Sequence, residues 1–174
     1  MLDTLIPSKT RLRLLLRFFL NPESSAYLRG LAQDFNESTN SVRVELNRFE
    51  EAGLISSQKV GNKKMYKVNT DFPLFSEFQN IAFKHFGIDK IVDQVLCKIG
   101  EVETVFLTGD LAKGLDSPVI DITLIGDRVN TEYLARLVVK AELLVNRKIR
   151  TIVYNKNDFV SIEKPSLLIY GEEY

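Results

Sequence analysis

The pattern of apolar and polar positions divides the first 70 residues into three helices followed by a hairpin. Apolar residues recur every three or four positions in PSKTRLRLLLRFFLNP, YLRGLAQDF and TNSVRVELNRFEEAG, which predicts a helix over each segment. LISSQK and KMYKVN then form two short predicted strands around the turn Val60-Gly61-Asn62-Lys63. Hydroxyl side chains near the start of each helical segment are the expected N-caps: Ser8 or Thr10, Ser24 or Ser25, and Ser38.

The first predicted helix is apolar over more of its circumference than one buried stripe requires. The stripe and the residues that extend it are Leu12, Leu15, Leu16 and Phe19, and then Leu14, Phe18 and Leu20. We therefore expect this helix to bury two faces, the second of them in a homodimer. The alternative is that the segments after residue 70, which are rich in Phe and Ile, cover this face within one chain.

Beyond residue 70 the periodicity changes twice. FPLFSEFQNIAFKHFG and IDKIVDQVLCKIG have helical spacing, and Gly100 is the expected end of the second helix. ETVFLTG, VIDITLIG, IRTIVYN and SLLIY are then typical of strands, with a helix over NTEYLARLVVKAELLVN. The sequence predicts an α+β protein with an N-terminal domain at 1–70, a helical connector at 71–87 and a small α/β domain with a mixed sheet at 88–174.

Charge is distributed unevenly, although the net charge of the chain is zero. Residues 1–70 contain 11 Lys and Arg against 7 Asp and Glu, and residues 71–174 contain 12 against 16. An even distribution would argue against a nucleic-acid partner. The basic first part keeps that class of partner open.

Several other classes of protein are disfavoured by the composition. No segment approaches the roughly 20 apolar residues that span a bilayer, and the N-terminus lacks the pattern of a secretory signal, so we expect a cytoplasmic protein with no membrane partner. A lone cysteine, Cys97, cannot form an internal disulfide, and a lone histidine, His85, cannot be half of a Cys/His metal cluster. Both are expected to be packing or surface residues.

The order of helix, helix, turn, helix and basic hairpin is typical of a winged helix-turn-helix domain. Since a helix fits the major groove, small polar and Arg side chains on its outward side reach base edges, while a basic hairpin supplies cations to phosphates. The expected contacts with double-stranded DNA are Asn40, Ser41, Arg43, Asn47 and Arg48 of the third helix and Lys59, Lys63 and Lys64 of the hairpin. The alternative is a protein-interaction module, because such residues are also ordinary on helix surfaces.

Segments along almost the whole chain resemble, in order and spacing, bacterial regulators that fuse a winged helix to a nucleotidyltransferase-like domain. The segments are SKTRLRLLLRFFLNP, YLRGLAQDF, VELNRFEEAGLI, KVNTDFPLFSEF, TGDLAKG and NRKIRTIVYNKNDF. In that superfamily a Gly-Ser turn with a second Gly holds a nucleotide phosphate, and two aspartates separated by one residue on the next strand hold magnesium. The resemblance implies a transcriptional regulator whose second domain has this fold.

The chain departs from the family motif at the residues that carry the chemistry. Gly109 and Gly114 match the two glycines, but Asp110 stands where serine is expected and would face the phosphate with a negative charge. Asp121 is the one carboxylate on the following strand in either register of the motif, and IRTIVYN offers no third acid. Magnesium in phosphoryl-transfer sites is held by carboxylates and substrate phosphates, so a single carboxylate is too few. The remaining alternative is that Asp110 or Asp116 replaces the missing ligand.

We therefore expect a catalytically degenerate second domain that is not an enzyme, binds no metal or cofactor, and serves sensing, dimerisation or partner binding. An unidentified small molecule or protein is the expected effector, and a small molecule in this cleft is expected to be uncharged or cationic. The alternative function is an active or nucleotide-binding nucleotidyltransferase that carries a winged helix.

Overall fold

The computed structural model describes residues 2–96, 99 and 102–172, so that Cys97 and Gly100 lie outside the described residues. The chain forms two compact units, Met1–Ala82 and Phe83–Tyr174. Each unit combines helices with its own sheet, which confirms the α+β class. The longest described helix has 15 residues, and no helix in the described part of the chain has the length and apolar character of a membrane span.

The first unit contains a three-stranded antiparallel sheet and the helices that precede and follow it. Its elements are α1 (Leu2–Leu5), α2 (Lys9–Leu20), β1 (Ser25–Tyr27), α3 (Leu28–Phe35), α4 (Thr39–Glu51), β2 (Ile55–Val60), β3 (Lys63–Val68) and α5 (Phe75–Phe86), which extends into the second unit. The sheet order is β1-β3-β2. This order of elements, with β2 and β3 as the wing, is that of a winged helix-turn-helix domain.

The second unit contains a four-stranded mixed sheet. Its elements are α6 (Ile88–Ile91), a π-helical segment (Val92–Leu96), β4 (Thr104–Thr108), α7 (Gly109–Ala112), β5 (Val119–Ile125), α8 (Thr131–Val145), β6 (Lys148–Tyr154), a 3₁₀ turn (Lys156–Asp158) and β7 (Leu167–Tyr170). The order is β6-β5-β4-β7, in which β5 and β6 are parallel and the other pairs antiparallel. The predicted mixed sheet is confirmed.

Local sequence signals account for two of the three helix starts predicted in the first unit. The Ser8 and Ser38 side chains accept hydrogen bonds from the backbone N–H groups three residues on, at 3.3 and 3.1 Å, and so cap α2 and α4. The prediction of Ser24 or Ser25 as the cap of α3 is wrong. The cap position is Tyr27, because Ser25–Tyr27 pairs with β3 as a short strand that only the distant partner makes possible.

Helix α2 is buried almost all round within the single chain, from Leu12 to Leu20 with the exception of Arg13. The ring centroid of Phe19 lies 5.9 Å from that of Phe75 and 5.1 Å from that of Phe78, both in α5. The second apolar face of α2, on which the dimer prediction rests, is therefore covered within the chain, because the aromatic residues that follow the wing pack onto it. The homodimer stays a prediction without that support.

The two faces of the second sheet differ in chemistry. Ile120, Ile122 and Leu124 are buried on one face of β5, and the alternate residues Asp121 and Thr123 point to the other face. Between β4 and β5 the chain forms one helical turn, α7, where the glycine-rich sequence predicted a turn. The helical turn forms because Leu111 and Ala112 are buried in the core.

Candidate functional site

A buried carboxylate joins α4 to α2. The side chain of Glu45 is 8% exposed, and its two oxygens accept hydrogen bonds from Arg11 Nε and Arg48 Nη1, each at 2.8 Å. Burial alone would raise the pKa of Glu45, but the hydrogen bonds and charges of Arg11 and Arg48 outweigh it, and the pKa lies below its usual value. This cluster turns the opposite, polar side of α4 outward.

The first turn of α4 is held by a second polar network. Glu37 accepts hydrogen bonds from the Thr10 hydroxyl, from Ser41 Oγ at 3.3 Å and from Arg13 Nη1 at 3.2 Å. The Ser41 hydroxyl also lies 3.2 Å from that of Thr10. Ser41, predicted as a DNA contact, is therefore engaged in fixing the start of α4.

The outward side of α4 and the tip of the wing line one concave surface of about 650 Å³. From α4 it receives Arg43 and Asn47, and from the wing Asn62, Lys63 and Lys64. We call these five residues the helix–wing surface. The structure thus brings together four residues that the sequence predicted as DNA contacts, and adds Asn62 to them.

The other predicted contacts lie outside the helix–wing surface. Asn40, Arg48 and Lys59 are exposed, and the Arg48 guanidinium is paired with Glu45. Lys59 lies opposite Lys64 in the register of β2 and β3. Only some of the predicted DNA contacts therefore lie together on one exposed surface.

Two aromatic rings position the lysines of the wing. Lys63 Nζ lies 4.1 Å from the ring centroid of Tyr27, and Lys64 Nζ lies 5.0 Å from that of Tyr66. Lys64 Nζ also donates to Glu50 Oε2 at 2.7 Å, a hydrogen bond that raises the pKa of Lys64 and lowers that of Glu50. Much of the positive charge of Lys64 is therefore balanced by the carboxylate of Glu50.

Sequence reasoning missed Tyr27 and Arg29, which also line the surface beside the wing. The sequence pattern predicts that their segment begins a helix with an inward stripe, because the three-residue strand β1 has no periodicity of its own. Tyr27 reaches the wing because it pairs with Met65 of β3. That pairing becomes visible only in the folded chain.

In the second unit, Asp121 and Arg150 form an ion pair across adjacent parallel strands. The two residues are register partners in β5 and β6, and Arg150 Nε lies 2.5 Å from Asp121 Oδ1. The hydrogen bond and charge of Asp121 raise the pKa of Arg150, and the charge of Asp110 acts in the same direction. Strand β6 offers no third acid and instead places the cation of Arg150 beside Asp121.

The glycine turn lies directly against this ion pair. Gly109 has φ +67°, and a Cβ on it would overlap the Asp121 carboxylate. Gly114, at φ +76°, follows α7, and Asp110 in the first turn of α7 lies 3.4 Å from Lys113 Nζ. Gly109 and Asp121 thus line one cleft, and Asp110 and Asp121 each lie beside a basic side chain.

The carboxylates of this cleft do not fit the magnesium site that the resemblance implies. Asp121 is the only acid on β5, and one of its oxygens is bound to Arg150. Within the described ranges, no three His, Cys, Asp or Glu side chains are grouped to hold a metal ion. Asp116, the other candidate ligand, pairs with Arg147 at 2.8 Å.

Comparisons with known proteins give remote resemblances. No protein-family model matches the chain, and no curated protein matches it significantly. Three solved structures are similar to about half of it. Reduced HlyU from Vibrio cholerae has 15% sequence identity and a TM-score of 0.38, and the match covers 50% of this chain and 83% of that chain. AF1382 from Archaeoglobus fulgidus has 20% identity and a TM-score of 0.37 over 53% and 94% of the two chains, and the type III plasmid segregation protein TubR has 22% identity and a TM-score of 0.36 over 48% and 81%. At these identities and TM-scores no function is transferred.

Proposed function

We propose that the chain is a DNA-binding transcriptional regulator that contacts double-stranded DNA through the helix–wing surface. The observation that supports this function best is the convergence of Arg43 and Asn47 from α4 with Lys63 from the wing. Arg and Asn are the side chains that read guanine and adenine edges by paired hydrogen bonds. Lys63 supplies a phosphate contact at the flank of the groove.

The internal contacts of α4 support the same proposal. Groove recognition needs a helix whose polar side is held outward. Glu45 binds the inner side of α4 to α2, and Glu37 links the first turn of α4 to Thr10 of α2. Arg43 and Asn47 are four positions apart, so they lie on one side of the helix and reach neighbouring base pairs.

We further propose that the second unit is a degenerate nucleotidyltransferase-like domain without transferase activity, retained for sensing, dimerisation or partner binding. Three features favour this hypothesis: the glycine turn at Gly109, the lone strand carboxylate Asp121, and Arg150 in its ion pair with that carboxylate. Phosphoryl transfer depends on charge stabilisation by correctly placed carboxylates and metal ions. A carboxylate already paired with a guanidinium is a poor metal ligand.

The DNA-binding proposal is tested by titrating the full chain against genomic DNA fragments at several salt concentrations. Arg43→Ala is expected to cost about 1–3 kcal/mol of binding free energy and to relax sequence selectivity. Lys63→Ala is expected to weaken all sequences alike and to reduce the salt slope by about 1. Selective binding that neither substitution changes would contradict this assignment, and a protein-interaction module would show no salt-dependent DNA binding.

The absence of transferase activity is tested separately, by calorimetry with ATP, GTP and magnesium and by a label-transfer assay. We expect neither nucleotide-dependent heat at micromolar concentrations nor transfer. Micromolar affinity together with transfer that Asp121→Ala abolishes would instead establish the alternative, an active nucleotidyltransferase carrying a winged helix.

A further inference from the structure

The cleft over the second sheet is lined by an arginine whose Nη groups donate to no other residue in the part of the chain that the structure describes. A guanidinium has five N–H groups, and Arg150 gives its Nε–H to Asp121. The Arg150 side chain is 71% exposed and lines a cleft of about 740 Å³. The planar Nη edge of Arg150 is the part of the side chain that suits a carboxylate or a phosphate.

Three cationic and two anionic side chains line the cleft, and Asp110 beside it pairs with Lys113. Lys113, Arg150 and Lys164 line it, against Asp121 and Glu163. Asp110, the carboxylate expected from the sequence to repel a phosphate, lies 3.4 Å from Lys113 Nζ, and Asp121 is engaged with Arg150, so both carboxylates are matched by cations within the chain. The expectation of an uncharged or cationic ligand rested on Asp110 and left out the guanidinium that β6 supplies.

An apolar surface continues from Arg150 along the same side of β6. Ile152 and Tyr154 are 55% and 41% exposed and line the same cleft. Alternate residues of a strand lie on one side, about 6.5–7 Å apart. A molecule with its charge at Arg150 therefore has its body over Ile152 and Tyr154, with Pro165 also in the lining.

We propose that this cleft binds a small organic anion with an aromatic body and needs no metal ion to do so. The anionic group pairs with the free edge of Arg150 and the ring packs on Ile152 and Tyr154. Asp121, which accepts the Nε–H of the same guanidinium, offsets its positive charge and thereby limits the affinity for the ligand. Carboxylates and phosphate monoesters share this chemistry.

The test is a two-dimensional NMR titration of the full chain in excess EDTA with three probes: 2-naphthoate, 2-naphthyl phosphate and the neutral 2-naphthamide. At least one anion is expected to bind about tenfold or more tightly than the amide, with shifts at the amides of β6, because a charge-assisted pair is lost in the amide. The carboxylate and phosphate arms identify the preferred anion. Equal binding of the amide, or no binding of either anion at millimolar concentration, overturns the proposal.

Two substitutions of the ion pair have opposite expected effects. Arg150→Gln removes the donor and is expected to weaken the anion about tenfold, whereas Asp121→Asn releases the guanidinium and is expected to tighten it about two- to fivefold. Lys140→Gln, an exposed change on α8, is the matched control and is expected to leave affinity unchanged. If Asp121→Asn binds the anion more weakly while its NMR spectrum shows an intact fold, the charge effect assigned to Asp121 is wrong, and the assigned site is overturned with it.

Discussion

Arg11 Nε in α2 donates to the buried carboxylate of Glu45 in α4 across 2.8 Å, and this contact fastens the candidate DNA-reading helix to the first helix of the fold. Arg48 completes the cluster from the next turn of α4. One acidic side chain thus binds two arginines, whose side chains are 41% and 56% exposed. The first two predictions concern this cluster.

Glu45→Gln is expected to lower the free energy of unfolding by about 1–3 kcal/mol, because it leaves two guanidinium groups facing a neutral, partly mismatched amide. Urea denaturation followed by circular dichroism measures the effect. Glu51→Gln, at an exposed position of the same helix, is the matched control. Equal stability of the two variants would show that the cluster does not hold α4.

The contribution of Glu45 is expected to depend on pH. Its pKa is lower in the folded chain than in the unfolded chain, so its stabilisation is fully present above the unfolded pKa of about 4.3 and is lost as the pH falls through the folded pKa. The difference in stability between wild type and Glu45→Gln should therefore be constant near neutrality and shrink below pH about 4. A difference that persists undiminished in acid would contradict the ion-pair account.

The two wing lysines are expected to contribute unequally to DNA affinity. Lys64 is bound to Glu50, whereas Lys63 packs on the ring of Tyr27. Lys63→Ala should therefore weaken DNA binding more than Lys64→Ala, and Glu50→Gln should strengthen it by releasing Lys64. Fluorescence anisotropy with a labelled duplex measures all three. Identical effects of the two lysine changes would argue against the assigned wing contact.

Gly109→Ala is expected to destabilise the second unit by more than the conformational cost alone. Gly61 has a similar positive φ, +57°, with nothing within 4 Å of an added Cβ, whereas the Cβ at Gly109 meets Asp121. Gly61→Ala thus measures the backbone cost of roughly 1–2 kcal/mol, and the excess in Gly109→Ala reports the contact with Asp121. Thermal unfolding of both variants and of Gly109→Ala/Asp121→Gly checks this, since the second change should remove the excess.

The oligomeric state is the last prediction. We expect a homodimer because paired winged helices read two half-sites, although α2 is buried within one chain and does not supply the interface. Light scattering at high micromolar concentration measures the mass directly. A monomer mass there would reject the dimer.

Local patterns in the sequence determined the helices and strands whose signals lie within a few residues. Ser8 and Ser38 cap α2 and α4 through backbone groups three residues away, and the wing turns at Gly61. The apolar alternation of VIDITLIG and IRTIVYN predicted β5 and β6 because the period of a strand is a property of the strand itself.

Contacts between distant residues were decided only by the tertiary structure. Strand β1 exists because β3 pairs with it from 40 residues away, and α2 is covered by aromatic residues that follow the wing. The pairing of Asp121 with Arg150 depends on the register of two parallel strands separated by α8. Periodicity states which side of each strand faces inward, but the partner of a side chain is set by the register, which is a property of the folded sheet.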